Sequence, residues 1–305
     1  RKRSNFAEFI EWRKFNSDRW TETIARLGQI TREHDPDMPL CLYDSFGPRG
    51  TGGNDYWKLL TQGNIGFSLE YTSMVYPEMR NPLYDFDELY RSFRPDMRLW
   101  GFIGYYWSRE LAIFQPWWYA LHRYGGFCWF GMTSTDGGGT LLETPSLNIT
   151  QEARLIREGV FESGLLDGFG KLCLEFSWVP SDLAVLYSHN SMLTAWCHSK
   201  ETNNDVLTPG SPYHDWHFAR YSLRYLLEDL LYQYDFISPE QLESGSFGKR
   251  KIIFLPQATA LSDSSVAALS GFLEKDGWLI ADTMPGNWTE LGVPRTVSPF
   301  SAFRN

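Results

Sequence analysis

The chain has 305 residues, 43% of them hydrophobic and 21% charged, which is enough apolar material for one large or two ordinary packed domains and too much for wholesale disorder. Lys and Arg number 28 against 37 Asp and Glu, a formal charge of −9, and the basic runs are confined to Arg1-Lys2-Arg3 and Lys249-Arg250-Lys251, so nucleic acid is not an expected partner. No apolar run approaches the roughly 18 residues needed to cross a bilayer, so no membrane partner is expected either.

In chain order, residues 5–34 read as a helix, with Trp20, Ile24, Leu27 and Ile30 at helical spacing and Pro36 and Pro39 ending the pattern. Leu40 to Tyr43 reads as a buried strand, and Cys41, like Cys128 further on, as a buried thiol. Asp55 to Leu60 reads as a short helix and Ile65 to Tyr71 as a second strand. Asp85 to Phe93 then looks helical. Arg98 to Trp107 is a third apolar run, followed by a helix from Glu110 to about Tyr124, and Phe127 to Met132 is a fourth run. Thr150 caps a long helix reaching the Glu175 region. Short apolar strands alternating with helices indicate a parallel sheet covered by helices.

The pattern shifts near Trp178 to Ser181, which sets domains at 1–178 and 179–305. In the second, Leu183–Tyr187, Lys251–Leu255 and Trp278–Ala281 read as strands. A helix from Asp215 to Tyr234 places Trp216, Ala219, Leu223, Leu226, Leu230 and Tyr234 on one face. Ser262 caps a further helix through Phe272, ending at Gly277. This second unit is α/β of flavodoxin-like type. Neither common nucleotide-binding glycine pattern is present, and no cofactor is implied. Four isolated cysteines give no zinc pattern and lean towards a reducing compartment. The pair His214 and His217 lacks a third ligand in sequence and reads as a surface helix start, so no metal is expected. Aromatic content of 16%, with 13 Trp, fits either a large aromatic core or flat faces that stack on sugar rings.

Two stretches carry a resemblance. FAEFIEWRKFNSDRWTETIARLGQITREHDPDMPL resembles the helix leading to the fifth barrel strand of glycoside hydrolase family 42 β-galactosidases. DLAVLYSHNSMLTAW, YDFISPEQLESG and KIIFLPQATALSDSSVAALSGFLEKDGWLIADTMPG resemble the β-galactosidase trimerisation domain, whose fold is that of a class I glutamine amidotransferase without the catalytic residues. The resemblance implies the second half of a (β/α)8 TIM barrel followed by a truncated trimerisation domain, an oligosaccharide substrate, retaining hydrolysis and a homotrimer. It also implies a partial chain, inactive alone, because the family's acid/base Glu ends the fourth strand and would precede Arg1.

A retaining glycosidase needs two carboxyl groups about 5–5.5 Å apart. The family's nucleophile ends the seventh strand, where this chain carries Gly104, Tyr105 and Tyr106. The candidate replacements are Glu110, just beyond that strand, and Glu70, on the sixth, where the family usually has a nearby Asp. Glu110 equally suits a helix N-terminus, which favours negative charge, and Glu70 a buried ion pair with a residue such as Arg98. Tyr71, Tyr106, Trp107 and Trp129 are candidates for stacking on sugar, or for filling the core. Asp44 is a candidate for binding sugar hydroxyls, or for capping its loop. The gap at Gly104 to Tyr106 keeps a second reading open: a non-catalytic carbohydrate-binding or assembly protein on the same scaffold.

Overall fold

The computed structural model describes residues 6–38, 40–44, 54–63, 66–69, 84–96, 100–103, 109–129, 141–143, 145–165, 168–199 and 210–301, with backbone alone at 43–44, 66–69, 84–87, 102–103, 109–112 and 127–129. The protein is α/β, with two four-stranded parallel sheets and helices. It divides into two compact units. One comprises residues 28–47 and 64–178; the other comprises 1–27, 48–63 and 179–305.

Helix α1 (Phe6–His34) spans the first stretch. Its buried residues include Ile10, Ser17, Thr21 and Ile24, whereas Trp20, Leu27 and Ile30 are exposed. The inward stripe is therefore partly polar, and only Ile24 of the expected apolar positions is buried.

The first sheet has strands β1 (Cys41–Asp44), β2 (Gly66–Leu69), β3 (Trp100–Ile103) and β4 (Gly126–Trp129) in that spatial order. Helices α3 (Tyr84–Phe93) and α4 (Arg109–Leu121) follow β2 and β3. Gly101 is required by packing. A Cβ there would lie 2.6 Å from the ring of Tyr119, so α4 rests directly on the β3 backbone. Cys41, the first residue of β1, is exposed rather than buried. The segment after Thr150 is broken rather than one helix. Thr150 Oγ1 accepts from Ala153 N at 3.1 Å and starts α5 (Gln151–Ile156), but a π-helical turn (157–161) follows. Gly164, at φ +97°, then separates it from α6 (Phe169–Glu175).

The second sheet holds β5 (Leu183–Leu186), β6 (Asp235–Ile237), β7 (Ile252–Leu255) and β8 (Trp278–Ala281), in the order β6-β5-β7-β8. Its helices are α7 (His189–His198), α8 (Pro212–Asp229), α9 (Pro239–Glu243) and α10 (Asp263–Leu273). Helix α2 (Tyr56–Thr61) groups with this unit. The core contains Leu186, Ile237, Leu242, Ile253, Leu255 and Leu269.

The inner face of α8 differs from the expected one. Tyr213, Trp216, His217, Arg220, Arg224 and Leu227 are buried, and Leu226 and Leu230 are exposed. Two arginines occupy interior positions that a hydrophobic count assigns to leucine. The Arg224 Nε donates to Glu228 at 2.7 Å, and the Arg220 guanidinium lies 4.2 Å from the Trp216 ring centroid. His217 is likewise buried, its Nδ1 3.1 Å from the Tyr221 hydroxyl, and is not the surface residue the sequence indicated.

The end of β5 is tied to the loop after β7. Ser191 Oγ donates to the Ala260 carbonyl at 3.1 Å and accepts from the Ala260 N–H at 3.0 Å, with Ser188 Oγ also donating to that carbonyl at 3.2 Å. Replacing Ser191 by Ala leaves a buried N–H unpaired. The expected cost is about 1–3 kcal/mol, read as a lower denaturation midpoint at unchanged slope.

Candidate functional site

Each strand of the first sheet runs in the same direction, so their carboxyl ends share one edge. Asp44 is paired in register with Leu69, Leu69 with Gly101, and Ile103 with Trp129. Asp44 and Trp129 are thus the last residues of β1 and β4. They stand three strand spacings apart, each roughly 4.8 Å. Glu110 is the second residue of α4, which follows β3, a position where the helix dipole favours an acid. The side chains of Asp44, Trp129 and Glu110 are not described. Glu70, Tyr71, Tyr106 and Trp107 lie outside the described residues, as do Arg98 and the Gly104 to Tyr106 segment.

A second polar locus has its side chains described. It lies in the unit of the second sheet, where β5 and β6 end. Lys14 and Asp18 of α1, Asp55 and Lys58 at α2, His189 at the start of α7 and Glu240 in α9 are among the residues lining a cavity with about 60 Å³ of space for water centres. The local sequence explains how each is held. Asp55 caps α2, accepting from Trp57 N at 3.1 Å and Lys58 N at 3.4 Å, while its own N–H donates to Ser17 Oγ at 2.9 Å. Lys58 Nζ donates to Asp18 at 2.6 Å. Ser238 and Gln241 form a reciprocal capping box that fixes α9 and, within it, Glu240.

Burial dominates the electrostatics of this cavity. It raises the Asp55 carboxyl despite Lys58 and two backbone N–H groups. Burial, then the nearby Asp55 charge, pushes Glu240 up to about 7. Burial, then Lys58, Lys14 and Arg13, lowers His189 to about 3, so its ring is neutral at ordinary pH. Among the described residues, no group of three His, Cys, Asp or Glu side chains is arranged to hold a metal ion.

Sequence reasoning missed this cluster. The capping signals at Asp55 and at Ser238-Pro239-Glu240-Gln241 were legible, since an acceptor side chain before a helix start has a local cause. Their convergence from four separate stretches was not.

The sequence matches no family model and no curated protein. The fold does match solved structures. A β-galactosidase from the psychrophilic Marinomonas ef1 aligns with a TM-score of 0.72 and 14% identity, over 98% of this chain and 48% of that one. A GH42 β-galactosidase from G. stearothermophilus aligns at 0.69 and 15%, over 96% and 44%. A GH42 exo-carrageenase from Bacteroides ovatus aligns at 0.66 and 14%, over 95% and 41%. The chain therefore spans less than half the length of these proteins. The resemblance to family 42 read from the sequence holds at the level of fold, along almost the whole of this chain.

The buried acids give the molecule a measurable pH dependence. An unfolded Glu releases its proton near 4.5, whereas Glu240 holds its proton up to about 7. Between these values folded Glu240 binds more protons than unfolded Glu, so its contribution to stability falls as pH rises from about 4.5 to 7. The raised Asp55 contributes in the same direction. His189, held at about 3, acts in the opposite direction between about 3 and 6.5, where the unfolded state carries the extra proton. The quantity expected to decline from about pH 4.5 to 7 is therefore the stability of the wild type relative to Glu240→Gln, read from the denaturation midpoints of the two proteins side by side.

Proposed function

We propose that the protein is a glycoside hydrolase of the family 42 type, acting on β-galactosides or related oligosaccharides by two-step displacement with retention. In this reading the first sheet is the second half of a (β/α)8 barrel, and the second unit is a flavodoxin-like domain of the trimerisation type. The chain is one part of the complete enzyme, and the acid/base is supplied from upstream. The observation that carries the reading is the shared architecture along nearly the whole chain. It is supported by a parallel first sheet at whose carboxyl edge Asp44 and Trp129 end their strands. In barrel enzymes that edge and its loops carry the chemistry.

Glu110 and Glu70 are the proposed carboxylates on this part of the chain. Asp44 is the proposed hydroxyl ligand, and Tyr71, Tyr106, Trp107 and Trp129 are the proposed stacking surfaces. One sequence observation favours a second reading. Gly104, Tyr105 and Tyr106 stand where the family's nucleophile is expected, which fits a carbohydrate-binding or assembly protein that has lost hydrolysis.

Turnover of an aryl β-galactoside by the full-length polypeptide separates the two. Glu110→Gln or Glu70→Gln is expected to lower it by about 100-fold or more, the range for removing a catalytic group. If neither does, both assignments fail. A wild type that binds galactosides without turnover establishes the binding reading.

A homotrimer is the proposed assembly. The exposed apolar side chains Phe218, Leu226 and Leu230 of α8 support an associating surface. Light scattering at micromolar concentration is expected to give three times the monomer mass, and a monomer there overturns the assembly.

A further inference from the structure

We propose that the cavity at the carboxyl ends of β5 and β6 is a binding site for a small, uncharged molecule that offers several hydroxyls. The inference is independent of the barrel-edge reading, because every residue it uses lies in the unit of the second sheet.

The first observation is His189. It is 5% exposed, it lines the cavity, and neither of its ring nitrogens has a hydrogen-bond partner. A neutral imidazole carries one N–H donor and one bare nitrogen acceptor. Leaving either unpaired in a buried site costs about 1–3 kcal/mol. One hydroxyl that accepts from the N–H and a second that donates to the bare nitrogen, on different sides of the ring, remove that cost.

The second observation is the charge balance of the walls. An anion would enter among the carboxyl groups of Asp18, Asp55 and Glu240, and Lys58 is already paired with Asp18. A cation would enter beside Lys14 and Lys58, with no metal-holding set among the described residues. An uncharged ligand avoids both conflicts and still finds donors and acceptors on every side. The Lys14 ammonium and Asn190 amide donate, and the acids and the bare histidine nitrogen accept.

The third observation is size. At roughly 10–15 Å³ per water, the cavity's 60 Å³ accepts about four to six water-sized groups. That suits a three-carbon polyol or one edge of a pyranose. Trp57, among the lining residues, adds an aromatic side chain of the kind that packs against C–H groups.

The test is ligand-observed saturation-transfer NMR on the whole chain with glycerol and D-galactose as separate probes, with inorganic phosphate followed by phosphorus NMR line broadening and by its competition against either. Saturable binding of glycerol or galactose is expected in the millimolar range, about 1–50 mM. Asn190→Ala and Lys14→Gln, which alter half-buried side chains, are expected to weaken it about tenfold or more. His189→Gln adds a third variant if it folds, and the first two carry the test if it does not. The binding that Asn190→Ala and Lys14→Gln weaken is the binding at this cavity, which separates it from any sugar held at the first sheet. Glycerol binding weakened by these variants identifies an open-chain polyol, and galactose binding weakened by them, without glycerol binding, identifies a pyranose edge. The proposal is overturned by no saturable binding of either below about 100 mM, by unchanged affinity in the cavity variants, or by phosphate binding more tightly than both.

Discussion

Parallel strand pairing is the constraint from which the rest of this structure follows. Two parallel strands cannot be joined by a tight turn, so the chain must cross back through a helix each time. Every strand therefore ends on the same edge as its neighbour, and every returning helix starts there. In the first unit this rule brings the ends of β1 and β4 and the start of α4 to one edge, although they come from positions 44, 129 and 109. In the second unit it sets the starts of α7 and α9 beside each other, because β5 pairs directly with β6. Loops at such an edge are free to carry chemistry, since the sheet below them already satisfies the strand backbone.

The second unit shows what that edge costs when it is buried. Helix starts expose unpaired N–H groups, and the chain meets them with Asp55, Ser188, Ser238 and Ser262, each accepting from a backbone N–H. The same logic places Glu243 where it accepts from Ser262 and Ser265 across two helices. Arg295 binds the carbonyls of Leu261, Gly286 and Trp288, pinning the segment after β8 to the loops below. Around the cavity these devices leave charge concentrated in a poorly solvated place. Burial, then the nearby Asp55 charge, raises Glu240, and burial with nearby cations holds His189 neutral.

Much of the fold was legible because local patterns have local causes. The four apolar runs of the first unit correspond to β1–β4, and Trp278–Ala281 is β8 as read, since short β-rich runs between helices have few other uses. Thr150 and Ser262 cap helices as expected. The misreadings on α1, on α8 and at Cys41 share one cause, which is that hydrophobicity was taken to equal burial. On α8 the arginines turn inward and Leu226 and Leu230 turn outward, because a guanidinium with an aromatic face and a carboxylate to meet can be buried. Cys41 lies in an apolar run and is nonetheless exposed. The three-residue β6 was too short to signal itself and exists through its pairing with β5.

By itself the sequence determined the α/β class, the alternation of strands and helices, most helix starts and the resemblance to family 42. These rest on side-chain periodicity, capping chemistry and residue order, which act over a few residues at a time. The tertiary structure alone decided the strand order β6-β5-β7-β8, the inner face of α8 and the gathering of Lys14, Asp55, His189 and Glu240 around one cavity. Those features join residues up to more than two hundred positions apart. They depend on how whole elements pack, and no window of sequence contains the energies that choose between packings.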